Sequence, residues 1–80
     1  MLDQNMVDDL KANAERLRNT TQTLYEVTQE VTPSLSDKDI AQKIVAVEGY
    51  LELVKGGTRD VNKSRKMIAQ ELNANAGIGE

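Results

Sequence analysis

Leu10, Leu17, Leu24 and Val31 recur every seven residues, and after Pro33 a second column, Ile40, Val47, Val54, Val61 and Ile68, does the same. A seven-residue apolar repeat keeps one stripe of a helix turned toward a partner. Two such columns on either side of a short turn predict an all-α fold, an antiparallel helical hairpin with coiled-coil-like heptads. The pattern specifies shape rather than chemistry.

The first arm is expected over about residues 4–32, with Asp3 or Asn5 as N-cap and Asp8 and Asp9 near the positive end of the helix dipole. Beside its strong column the companion positions read as Ala14, Thr21 and Thr28, small or polar residues that make the stripe narrow. The run Thr20, Thr21, Thr23 lowers helix propensity, so packing must hold this stretch. Pro33 cannot continue a helix and biases Thr32 toward an extended conformation. The restart is well marked, with Ser36 as N-cap, Asp39 at the third helical position and Leu35 and Ile40 spaced as a hydrophobic staple.

In the second arm the stripe runs Ile40, Ile44, Val47, Leu51, Val54, and then meets Lys55-Gly56-Gly57-Thr58-Arg59-Asp60. Local signals there say stop and start: a base in the last turn, a glycine for the left-handed position, Thr58 as the next cap. Two glycines inside a helix cost about 2 kcal/mol relative to alanine. Against this, the periodicity passes through Thr58, Val61, Arg65, Ile68 and Leu72 without a phase slip, and a loop has no need to preserve phase. The local signals lead the expectation: an arm broken or kinked at Gly56-Gly57, up to three helices at about 4–32, 37–55 and 59–75, in a single domain over 1–76 with a flexible tail at 77–80. Ile78 is a candidate anchor within that tail.

Eighty residues make one small domain whose buried fraction is low. With two Tyr, no Trp and no Phe, the large side chains that dominate most cores are scarce. A second chain would therefore add stability. No cysteine is present to staple the fold, and neither a secretory signal nor a membrane span is expected, because Ile44–Val47 is the longest apolar run and Met1–Leu10 has no base. A cytoplasmic protein is the expectation.

The net charge of -3 is unevenly spread: residues 55–80 carry five bases against three acids, whereas residues 1–31 carry six acids against three bases. On a helix Arg59, Lys63 and Lys66 share one face. These bases either complement the acidic first arm, within the fold or in a neighbouring copy, or neutralise phosphate in a nucleic acid. The overall acidity and the absence of a short turn after Ile40-Ala41, where a helix-turn-helix needs one, count against nucleic acid as a partner.

Without His or Cys there is no catalytic triad, no Cys-His nucleophile and no zinc site of ordinary composition. Glu48 and Glu52 are one turn apart but read as an exposed acidic face, and Gly56-Gly57-Thr58 lacks the spacing and lysine of a phosphate loop. No cofactor, metal or enzymatic activity is expected. Tyr25 and Tyr50 lie beside the core columns and are candidate partner contacts.

The proline-marked turn from Pro33 to Asp37 and the charged second arm resemble, in overall plan, the needle subunits of type III secretion systems. Those subunits usually have a second proline in the turn and an apolar end, where this chain has Ser36-Asp37 and a glycine-rich tail. Small helical chaperones of secretion and of phage tail-fibre assembly share the generic pattern, and no family is assigned.

The expected function is a non-enzymatic protein–protein interaction module, an adaptor, assembly factor, chaperone or small regulator that self-associates. The expected seam is Leu10, Leu17, Leu24, Val31, Ile40, Ile44, Val47, Leu51, Val54, Val61, Ile68 and Leu72. Alternatives are a nucleic-acid-associated regulator using the basic 55–66 segment and a small helical inhibitor or immunity protein.

Overall fold

The computed structural model describes residues 2–76, with side chains to residue 74, as two helices: α1, Gln4–Gln29, and α2, Asp37–Ala76. The tail, with Ile78, lies outside the described residues. The two helices pack against each other as an all-α hairpin, as the paired heptads require.

Asp3 opens α1 from an extended conformation, its carboxylate accepting the Asn5 N–H at 3.0 Å. The helix ends at Gln29, three residues short of the expected Thr32. Thr32 is kept out of the α region by the proline that follows it, and Pro33 has no N–H to offer the Gln29 carbonyl. The chain tightens instead, with the Glu30 N–H donating to the Val27 carbonyl at 3.1 Å and Val31 to Thr28 at 3.2 Å. Ser36 then caps α2 as its sequence indicates: its hydroxyl accepts the Asp39 N–H at 3.2 Å and its carbonyl the Ile40 N–H at 2.9 Å. Leu35 and Ile40, which flank this cap, are both half-buried.

The expected break at Gly56-Gly57 does not occur. The segments expected as helices over 37–55 and 59–75 form one helix of 40 residues, and Thr58 is an exposed mid-helix residue rather than a cap. The reason is tertiary. Gly57 faces α1, and a Cβ placed on it would stand 3.0 Å from Leu17 Cδ1 and 3.5 Å from Leu17 Cβ. The glycine lets the helices approach closely, and Val54 and Val61 on either side keep α2 in phase with the seam. Packing of that face outweighs the local propensity penalty.

The hairpin measures 60 × 21 × 13 Å with a radius of gyration of 18.5 Å. A compact domain of this length would have about 12 Å. The molecule is a rod, one helix wide in its thinnest direction, and among the described residues no apolar side chain is fully buried. Ser64, 9% exposed, is the most enclosed of the described residues.

Candidate functional site

Each arm presents two inner columns to the other. In α1, Leu10, Leu17, Leu24 and, beyond its end, Val31 alternate with Met6, Asn13, Thr20 and Val27, all half-buried. The expected companions Ala14, Thr21 and Thr28 are exposed. In α2, Ile40, Val47, Val54, Val61 and Ile68 alternate with Lys43, Tyr50, Gly57, Ser64 and Glu71. Ile44, Leu51 and Leu72, placed in the seam by their apolarity, lie on its flank and are 45%, 45% and 49% exposed.

The choice of companion column has a physical cause. Stepping four residues from each α2 column position adds Ile44, Leu51 and Leu72 but also brings Thr58 and Arg65 to the interface. Stepping three brings Gly57 and Ser64, which let the backbones approach at mid-rod, and places charged residues, Lys43 and Glu71, only towards the ends of the column, where Lys43 pairs with Glu30. Arg65 stays exposed, with its Nε and one terminal nitrogen donating to Asn62 Oδ1 at 3.0 and 2.8 Å.

The amide and hydroxyl groups of Asn13, Thr20, Thr23 and Ser64 find partners within the hairpin. Asn13 Nδ2 donates to Ser64 Oγ at 2.9 Å, a bond between the two helices across 51 residues of sequence. Thr20 Oγ1 donates to the Arg16 carbonyl at 2.9 Å and Thr23 Oγ1 to the Asn19 carbonyl at 3.1 Å. Threonines in the contact therefore leave no unsatisfied hydroxyl, which is how a stripe with so many polar residues packs at all. Asn13, Gly57 and Ser64 escaped the sequence reading, although Met6, Asn13, Thr20 and Val27 keep the seven-residue spacing.

Two ion pairs border the seam, Lys43–Glu30 at 3.1 Å and Arg16–Asp60 at 3.9 Å. The Leu17–Gly57 approach and the Asn13–Ser64 hydrogen bond set the register on which these pairs form. Leu17 makes its close approach to Gly57, one turn beyond the Val54 that equal column spacing suggests.

Of the candidate partner contacts, Tyr25 is 59% exposed, whereas Tyr50 is half-buried in an inner column. Arg59, Lys63 and Lys66 are all exposed, Lys63 bordering the groove between the helices, and none forms an ion pair with the acidic residues of α1 within the hairpin. Lys55 is held by Glu52 at 3.2 Å.

The groove along one side of the hairpin forms three open depressions of about 340, 460 and 520 Å³, bordered by residues such as Met67, Leu53 and Leu35. Leu53 and Met67 are 59% and 49% exposed beside it. Ile44, Leu51 and Leu72 occupy the opposite flank. No group of three or more carboxylates that could hold a metal ion, and no helix long and apolar enough to cross a membrane, occurs among the described residues. No family model, curated protein or solved structure matches this chain.

Proposed function

We propose that this chain is a non-enzymatic interaction module that works by pairing its helical surfaces with other protein chains, a second copy among them. One observation carries the reading: no described apolar residue is fully buried, while Tyr25, Ile44, Val45, Leu51, Leu53, Met67 and Leu72 stand exposed. A hairpin that leaves large aliphatic side chains on both flanks of its seam gains most of its remaining hydrophobic stabilisation from further helices. The lack of His and Cys and the open, shallow groove support a role without catalysis.

Sedimentation velocity and thermal melting over a protein dilution series test this. The melting temperature is expected to rise with concentration as association stabilises the folded chain. A monomer at all concentrations with a sharp cooperative melt would refute self-association.

A further inference from the structure

On the side of α2 away from the groove, charge changes sign at the middle of the helix. Glu48 and Glu52 precede Gly56-Gly57, Arg59 and Arg65 follow it, and all four are exposed. Glu48 and Arg59 form no ion pair among the described residues. Arg65 gives its Nε and one terminal nitrogen to Asn62, which leaves the other terminal nitrogen for a further partner. Lys55, between the two halves, is neutralised by Glu52 at 3.2 Å.

The apolar residues of the same flank have a matching symmetry. Ile44 and Leu51 lie in one column with Leu72, and Ala41 and Ala69 lie in the column beside it, at the alternating three- and four-residue spacing of a coiled-coil seam. Ala69 is half-buried and the other four are exposed. When a second α2 is laid antiparallel with its ends level, Asp37 against Ala76, each of these positions meets a complement. Ala41 faces Leu72 and Ile44 faces Ala69, a small side chain against a large one in each layer. Glu48 faces Arg65, and along the margin Glu52 lies beside Arg59. Leu51 meets Asn62, and Lys55 meets Thr58 next to the two-fold axis. On the outer column Lys38 and Lys66 fall beside Asn73 and Val45, so neither meets a base. A slip of one heptad loses this match: one direction sets Lys55 against Arg65, the other sets Arg65 against Ala41 and Lys55 against Leu51.

We infer that two copies join through this flank of α2 in a closed two-fold dimer, with α2 antiparallel to α2 and Glu48 paired with Arg65 of the second copy. A contact of a surface with itself closes at two chains. α1 presents Lys11 and Arg18 toward the same flank, with Asp8 and Glu15 one turn away on its outer face. Those bases stay in water, and the contact is centred on α2. The surface available is sufficient: the hairpin exposes 6113 Å², whereas a compact monomer of its mass exposes about 4,800 Å². The excess is greater than the roughly 800 Å² that each partner gives to an interface of ordinary size. This inference rests on the self-association proposed above and names the surface that performs it.

Charge exchange with rescue is the test, read by sedimentation at low ionic strength with helicity checked by circular dichroism. The parent is expected to sediment as a dimer. E48K/E52K and R59E/R65E, each alone, are expected to associate about tenfold or more weakly, because every charged contact then joins like charges. Mixed, the two recover as a heterodimer, and the chain carrying all four substitutions recovers as a homodimer. A41C and L72C, introduced on separate chains, are expected to form a disulfide with each other when mixed, whereas A41C alone forms none, since its two copies stand at opposite ends of the contact.

Double variants that associate as the parent does, a fourfold variant that fails to recover, or a parent assembly larger than a dimer would overturn this surface while leaving self-association standing. A parent chain that never associates would overturn both.

Discussion

Gly57 of α2 lies so close to Leu17 of α1 that a Cβ added to the glycine would stand 3.0 Å from Leu17 Cδ1 and 3.6 Å from Leu17 Cα. Nothing crowds the adjacent Gly56. The two positions should respond differently to the same substitution. Gly56→Ala gains helix propensity without a clash and is expected to raise stability by up to about 1 kcal/mol. Gly57→Ala gains less, because Leu17 must shift to admit the methyl group, and Gly57→Leu forces the helices apart at a cost of about 1–3 kcal/mol. Thermal melts at protein concentrations below association give the order; equal responses at 56 and 57 would show that α1 does not pack there.

The Asn13–Ser64 hydrogen bond pairs two polar residues in the seam. Ser64→Ala leaves the Asn13 amide half-buried and unpaired, a loss of about 1–2 kcal/mol. Replacing both, Asn13→Leu with Ser64→Ala, is expected to recover that loss while relaxing the register, as removal of a buried polar pair does in coiled coils. A double-mutant cycle in urea measures the coupling. Single cysteines added to this cysteine-free chain report register by cross-linking.

Ser36→Ala removes the acceptor for the Asp39 N–H at the start of α2. The expected cost is about 1 kcal/mol, which corresponds to a fall in melting temperature of roughly 4–8 °C for a domain of this size. Ser36→Asp should retain most of the stability, since aspartate caps as well as serine. A Ser36→Asp variant melting as low as Ser36→Ala would contradict the capping role.

Leu51→Glu and Leu24→Ala separate the flank from the seam, because Leu51 is exposed and Leu24 faces α2. Leu24→Ala should lower the melting temperature at every concentration, by about 2 kcal/mol in a partly exposed seam. Leu51→Glu should leave the dilute-solution melt within about 0.5 kcal/mol of the parent and flatten the dependence of melting on concentration. Destabilisation of the dilute monomer by Leu51→Glu would place that side chain in the seam after all.

Arg16 and Asp60 form an exposed pair at 3.9 Å, with side chains 66% and 53% exposed. Arg16→Gln is expected to change stability by less than about 0.5 kcal/mol, and added salt to change it no more. A larger loss, measured by chemical denaturation, would mean that this pair helps to hold the register.

The sequence determined by itself that the chain is an all-α hairpin, where its turn lies and which apolar column of each arm faces the other. Seven-residue columns, Pro33 and the Ser36 cap act through near neighbours, and such local signals are legible without knowing what packs where. Even there, α1 ends at Gln29 because the proline acts back beyond Thr32. Only the tertiary structure decided the rest. A column such as Ile40, Val47 and Val54 can pair with positions either three or four residues on, and hydrophobicity favours Ile44 and Leu51. The approach of α1 selected Gly57 and Ser64 instead, since small residues let two backbones come together and Arg65 stays in water. That same approach turned a glycine pair that reads as a helix end into the middle of a 40-residue helix. Propensity is a property of a residue and its neighbours, whereas close approach belongs to two helices at once, and only their packing could show which face of Gly56-Gly57 was taken.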